Sequence, residues 1–249
     1  MANKFASGEL QRDDVFITSK VFHGAMTGLT RVGSTLPLDS MDPEEVTEAI
    51  EEQFERVLEE LGVGYVDLML LHWPALMDSN DDRNPARRLA AWKVLETMLS
   101  RGWARAIGVS NFSEDHIEGL MADGATVLPM VNQIEASVYK QWDEIANYCK
   151  DKGIVLMAYS PLGLGKQSML SDPVLSAIAG KHGVEPAQVA LRYLVQLGYA
   201  ILPLSTSEIR MKQNMNIFQF ALDDQDMQSL MVLKEKDEGI GLPSPYNMS

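Results

Sequence analysis

Two hydrophobic patterns alternate along the chain. Short runs of apolar and β-branched residues occur at Val15–Ser19, Val66–Leu71, Ala104–Gly108, Met130–Gln133, Ile154–Ala158 and Ala200–Pro203. These runs are nearly continuously apolar instead of alternating, as strands of a parallel sheet must be when helices cover both faces. Between them lie longer stretches with helical spacing. The clearest has apolar residues at Val46, Ile50, Phe54, Val57, Leu58 and Leu61, one stripe of a 3.6-residue period. Six predicted strands separated by helices make an α/β fold.

The helix boundaries are written in capping chemistry. Asp42-Pro43-Glu44-Glu45 supplies an N-cap, a proline at the first helical position and a capping-box glutamate, and Gly62 ends the helix. Asn84-Pro85 and Asp172-Pro173 repeat the cap-then-proline start, and Ser113 caps a further helix. Gly183 ends one helix, Glu185-Pro186 begins the next, and that one runs to Gly198. Asp223 opens the last, with Met227, Leu230 and Met231 on one face. No linker, low-complexity segment or charge block interrupts the pattern, so residues 1–249 read as one domain with an irregular tail over 239–249. The Gly-, Ser- and Thr-rich stretch 23–41 reads as a long loop, and loops of that length are often functional.

Strand–helix alternation of this length has two usual solutions, an open doubly wound sheet or a (β/α)8 barrel. The first, when it binds a dinucleotide, carries GxGxxG after an early strand, and that motif is absent from the sequence. A barrel places its chemistry at the C-terminal ends of the strands. Polar residues gather at those ends: Lys20, His72, Ser110-Asn111, Asn132-Gln133-Glu135, Tyr159-Ser160 and Ser205.

Composition narrows the function classes. A net charge of −14 and a pI near 4.7 argue against a nucleic-acid surface, which needs clustered Lys and Arg. No apolar run approaches a membrane span, and the first twenty residues hold no apolar core of a secretory signal. The single cysteine, Cys149, reads as a packed thiol on a helix; it forms no internal disulfide, which fits a reducing, cytoplasmic setting. His23, His116 and His182 have no clustered ligands, so no metal site is expected. The 15 methionines read as core and helix-face fillers.

The runs VFITSK, LGVGYVDLMLLHWP, ARAIGVSNFS, PMVNQIE, YCKDKGIVLMAYSPLG, DPVLSAIAGKHGVEPAQVALRYLVQLG, ILPLSTSEIRMKQN and IFQFALDDQDM together resemble the aldo-keto reductase family. The resemblance covers about residues 7 to 235, in order. It implies a TIM (β/α)8-type barrel and an NADPH-dependent reduction of aldehydes or ketones, with a small-molecule carbonyl substrate; the oligomeric state stays open, with a monomer expected. In such enzymes an Asp, a Tyr, a Lys and a His do the chemistry. The Tyr protonates the carbonyl oxygen as hydride arrives, the Lys–Asp pair lowers the Tyr pKa, and the His orients the carbonyl. Lys20 and His72 match two of these four. For the cofactor, the resemblance assigns Ser110, Asn111 and Gln133 to the nicotinamide carboxamide, Tyr159 to ring stacking, and Ser160, Leu162 and Gly163 to the pyrophosphate loop. It assigns Ser205 and Arg210 to the 2′-phosphate and Asn214 to adenine. Phe22 and Trp73 match aromatic walls of the substrate pocket.

The sequence departs from the family at four points. The family's first two β/α units, which carry its catalytic Asp and Tyr, have no counterpart here. About six of eight units remain, so the barrel is expected to be incomplete and activity of the chain as written is in doubt. An N-terminally truncated chain, a noncatalytic nucleotide-binding or interaction remnant, and a chain completed by a partner all stay open. Leu204 stands where a Lys or Arg is usual, which leaves NADH possible beside NADPH, and Gln213 replaces a usual glutamate. Glu135-Ala136-Ser137 replaces a Tyr-His-Pro-like run, a change with no functional reading.

Overall fold

A computed structural model describes residues 4, 5, 7–22, 42–75, 82–165, 167–236, 239–242, 244 and 246. The long stretch 23–41, with His23, lies outside the described residues, as do tail residues 243, 245 and 247–249. Two compact units are present, Met1–Asn132 with Pro243–Ser249, and Gln133–Leu242.

The first unit runs β1 (Thr18–Val21), α1 (Pro43–Leu61), β2 (Val66–Leu71), α2 (Asn84–Ser100), β3 (Ala104–Ser110) and α3 (Glu114–Ala122). β2 pairs in parallel with both neighbours: Lys20 lies opposite Leu70 and Val21 opposite Leu71 on one side, Gly108 opposite Leu70 and Val109 opposite Leu71 on the other. Every residue of β2 is buried, the charged Asp67 included. The first strand starts later than the hydrophobic pattern suggests, because a side chain takes over part of the ladder. The Ile17 amide donates to Oδ2 of Asp67 at 2.8 Å instead of to backbone, and Phe16 is 69% exposed. Asp67 in turn accepts from Arg12 at 2.7 Å. Lys20 therefore sits within the strand and not just past its end.

The capping signals of α1 hold: Asp42 and Glu45 form the capping box, and Gly62 closes the helix with φ +66°. Val46, Ile50, Phe54 and Leu58 are its buried stripe. At α2 the signal is off by one residue. Arg83 takes the N-cap position, and Asn84 is the first helical residue and is buried. Ser113 caps α3, its hydroxyl meeting the His116 amide and ring.

β4 (Val131–Glu135) runs through the division between the units. The second unit continues with α4 (Asp143–Lys152), β5 (Val155–Tyr159), α5 (Gln167–Leu170), α6 (Pro173–His182), α7 (Pro186–Gln196), β6 (Ala200–Leu202), α8 (Glu208–Met215) and α9 (Asp224–Met231). β5 and β6 are parallel, with Tyr159 opposite Leu202. Asp172 does three jobs. It caps α6 through the Val174 amide at 2.8 Å, accepts from the Tyr139 hydroxyl at 2.6 Å, and pairs with Lys236. Asp226, buried at the start of α9, accepts from Lys181 at 2.8 Å and meets the His182 ring at 2.7 Å. Met231, placed by periodicity on the buried face of α9, is half exposed. The helix ends there, and the tighter 3₁₀ turn Val232–Lys236 rotates Leu233 into the core instead.

Each strand is separated from the next by helical structure, a single helix between β3 and β4 and between β4 and β5, and each described strand pair is parallel. This is the α/β architecture of the (β/α)8 class, with six strands among the described residues. Among those residues no helix is long and apolar enough to cross a membrane, and no cluster of His, Cys, Asp and Glu is set to hold a metal.

Gly108 marks the closest approach in the first unit. A Cβ there would lie 2.5 Å from the Val131 carbonyl oxygen and 2.8 Å from Cδ2 of Leu70. Because one obstacle is backbone, relief requires a strand to move. Gly108→Ala is expected to cost about 1–3 kcal/mol, the usual range for overpacking; a urea unfolding midpoint equal to that of the parent would show that the gap opens freely.

Candidate active site

In the first unit the parallel register carries β1, β2 and β3 to neighbouring C-terminal ends. The His72 amide continues the ladder by donating to the Val21 carbonyl at 3.0 Å, which sets His72 beside Phe22. Their rings lie 4.2 Å apart, and Trp73 follows with its ring 6.2 Å from that of His72. Asn111, just past β3, donates from Nδ2 to the His72 carbonyl and to Oγ of Ser110, both at 3.1 Å. Six residues singled out in the sequence, Lys20, Phe22, His72, Trp73, Ser110 and Asn111, therefore lie at or near the C-terminal ends of three neighbouring strands.

The electrostatics of that end are unusual. Burial lowers the Lys20 pKa to about 8. The His72 ring is pushed down to about 3, first by burial and then by the neighbouring Lys20 charge. At neutral pH His72 is thus a neutral imidazole, able to donate one hydrogen bond and accept another without titrating. Asn111 holds φ +62°, a left-handed backbone that an asparagine tolerates better than most residues. Such conformations gather at ligand sites. The indole Nε1 of Trp73, nearly fully buried, has no hydrogen-bond partner among the described residues.

The second unit holds a cavity of about 880 Å³ at the ends of β5 and β6. Tyr159, Ser160, Leu162, Ser205, Arg210 and Asn214 line it. Ser160, like Asn111, is left-handed (φ +50°), and so is Leu164 (φ +58°) in the loop beyond. Gly163 does not line the cavity; its amide closes that loop by donating to the Ser160 carbonyl at 2.8 Å. Gln133 is buried in β4, with its side-chain amide 3.1 Å from Sδ of Met157, and is not part of the cavity wall. Burial and then the Glu135 charge raise the Tyr159 pKa, so its ring stays neutral. At the opposite side Ser207 caps α8, and Nε of Arg210 donates to Oγ of Ser205 at 3.2 Å. Leu204 stands beside them, 86% exposed.

Sequence reasoning missed two parts of this cavity. The loop Leu164–Gly165 extends its wall, and no motif marks it. Gln188, buried on α7, donates to the carbonyls of Gln213 and Asn216 and so fixes the end of α8. Its sequence signal was the capping box with Glu185, which was legible as a helix start only.

The profile of the Aldo/keto reductase family matches residues 1–235. The chain belongs to the aldo-keto reductase family. It is 37% identical over 229 residues to aldo-keto reductase family 4 member C11 of Arabidopsis thaliana, covering 88% of this chain and 66% of that protein. It is 38% identical over 241 residues to the D-galacturonate reductase of Hypocrea jecorina, covering 91% and 70%. The crystal structure of an aldo-keto reductase enzyme from a Medee basin deep-sea metagenome library superposes with a TM-score of 0.78 at 29% identity, over 100% of this chain and 81% of that one. The chain thus spans about two thirds of the length of these curated relatives. Aldo-keto reductases are oxidoreductases that act on small carbonyl compounds with a nicotinamide cofactor.

The two desolvated, half-buried bases Lys20 and His72 give a stability signature. An unfolded lysine holds its proton up to its ordinary pKa of 10.5, whereas folded Lys20 releases it at about 8. Between those values the unfolded chain binds more protons, so stability rises with pH there, and the penalty is constant below about 8. His72 acts likewise between about 3 and 6.5. Lys20→Met is expected to remove the alkaline rise. Urea unfolding followed from about pH 8 to 10.5 reads it, and parallel curves for parent and variant would rule out a buried ammonium.

Proposed function

We propose that this chain carries the carbonyl-facing and dinucleotide-binding groups of an NADPH-dependent reductase of aldehydes and ketones. The observation that supports this most is His72: a neutral imidazole at a strand end, beside Phe22 and within reach of the Lys20 charge. An imidazole held neutral by burial orients a carbonyl oxygen by hydrogen bonding at any pH the protein meets. Phe22 and Trp73 form apolar walls there that exclude water. Lys20 and His72 supply two of the four groups the family uses, and the catalytic Asp and Tyr have no match in this sequence.

The second unit's cavity fits a phosphorylated dinucleotide. Asn214 is 8% exposed, and its side-chain amide lines the cavity with no hydrogen-bond partner among the described residues, so an adenine edge would satisfy it. The Arg210 guanidinium beside Ser205 and the first amides of α8 form a place for the 2′-phosphate. Tyr159 offers a ring face for the nicotinamide, and the loop Ser160–Gly163 offers backbone for the pyrophosphate. In the first unit Ser110 and Asn111 present hydroxyl and amide groups suited to a carboxamide. When bound, the nicotinamide supplies the hydride. The lone buried Cys149 and the acidic surface favour a monomer working in the cytoplasm.

Leu204 adds no charge at the 2′-phosphate position, so the preference for NADPH over NADH rests on Arg210. Leu204→Lys is expected to tighten NADPH by about tenfold, the worth of one added charge-assisted contact, and NADH little. Quenching of tryptophan fluorescence measures both affinities, and equal gains would remove position 204 from the phosphate site.

Turnover is tested by loss of NADPH absorbance with small aldehydes and with D-galacturonate, the last because one relative is named for its reduction. His72→Ala is expected to lower turnover by about 10²-fold or more with cofactor affinity unchanged. Unchanged turnover would overturn the role of His72. Cofactor binding with no turnover in the parent would favour the noncatalytic nucleotide-binding reading.

A further inference from the structure

A second cavity, of about 670 Å³, lies in the second unit and shares no lining residue with the first. One wall is α4, which turns Asp143, Ala146, Asn147 and Lys150 toward it. These positions are spaced i, i+3, i+4 and i+7, a single helical stripe. The facing wall is the end of α7, where Leu194 and Leu197 line the cavity. The middle of the α4 stripe is an alanine, the smallest of its four side chains. A leucine at 146 would project across the cavity. The volume lies in the range of small-molecule sites, and the stripe from Asp143 to Lys150 is about 10 Å long at 1.5 Å per residue.

Several polar groups of this groove are already engaged: Gln141 donates to the Val138 and Leu230 carbonyls and Trp142 to the Glu135 carbonyl. Tyr199 is 8% exposed, lines the groove, and its hydroxyl has no hydrogen-bond partner among the described residues. It lies within electrostatic reach of Cys149 and Asp143 on α4 and of Tyr193 on α7. Lys150 is exposed and forms no ion pair among the described residues. Lys140 sits over the Trp142 ring at 4.5 Å. The one carboxylate of the lining, Asp143, is already held by Lys234 at 2.6 Å. On a chain with a net charge of −14, the groove lining carries two lysines, Lys140 and Lys150, against one carboxylate, with an apolar body formed by Ala146, Leu194 and Leu197.

We propose that the groove between α4 and α7 binds a small amphiphilic carboxylate, an unbranched or flat apolar body about 10 Å long with one anionic head. The body lies along Ala146, Leu194 and Leu197, and the head is met by the Lys150 ammonium and the Tyr199 hydroxyl. The site is separate from the dinucleotide cavity.

The test is calorimetric titration of the full chain with decanoate, in the presence of saturating NADPH. Saturable one-to-one binding is expected, weakened about tenfold or more by Ala146→Leu and several-fold by Lys150→Glu and by Tyr199→Phe. Asn147→Trp, at an exposed position on the same stripe, covers the groove without touching the core. It serves as the blocking variant if Ala146→Leu loses its helical circular dichroism. Decanol is expected to bind at least about fivefold more weakly than decanoate. No saturable binding, or affinity unchanged by the blocking variant, would overturn the site, and equal binding of decanol would overturn the anionic class.

Discussion

Parallel pairing around β2 is the constraint from which the first unit's chemistry follows. β2 is buried along its whole length and is hydrogen-bonded on both sides, so β1 and β3 are fixed relative to it. Once Lys20 is set opposite Leu70 and Gly108 opposite Leu70 from the other side, the residues just beyond the strands have no freedom of address. His72 must emerge beside Phe22, and Asn111 must reach back to the His72 carbonyl. The same packing that holds the ladder together partly desolvates the groups at its end. That desolvation depresses Lys20 and, with the Lys20 charge, keeps His72 neutral. Packing and reactivity here are one physical cause seen at two places along the strand.

The cost of this arrangement is met by local polar devices. Asp67 stands at the opposite end of β2, where it accepts from Arg12 and Arg105 and from the Ile17 amide. Those bonds hold its pKa down although burial pulls the other way. In the second unit Asp172 and Asp226 play comparable parts, each a buried carboxylate that caps a helix and ties down cations from elsewhere in that unit. Buried pairs of this kind contribute little net stability over apolar packing, but removing one partner is expensive. Their effect is to fix where segments lie.

Much of this was legible in the sequence, for identifiable reasons. Helix starts at Asp42, Ser113, Asp172, Glu185 and Asp223 were readable because capping is a local contest, decided by a side chain within three residues of the amides it serves. β2 was readable because its apolar run has no competitor. Misplacements occurred where a distant partner intervened. The start of β1 shifted because Asp67, fifty residues away, takes the Ile17 amide. Met231 faced outward because α9 gives way to a tighter turn. Of the site, the residue types at strand ends were visible, but the left-handed backbones of Asn111 and Ser160 were not. Neither was the idle amide of Asn214. Conformation and satisfaction of hydrogen bonds belong to the assembled unit, not to the run of letters.

The uniform burial of β2 bears on how the molecule reaches its structure. A strand that alternates apolar and polar faces announces its own register, since a slip by one residue turns every side chain the wrong way. Val66–Leu71 has no such alternation to enforce. Slipped pairings of β2 with its neighbours would bury almost the same apolar surface, so the apolar residues drive collapse without choosing among them. The choice falls to the two polar ends, Asp67 with its arginines and the His72–Asn111 contact, together with the single fit of Gly108 against Val131. In kinetic terms the first unit has a permissive centre and discriminating termini. Its native register is the one arrangement in which both ends close.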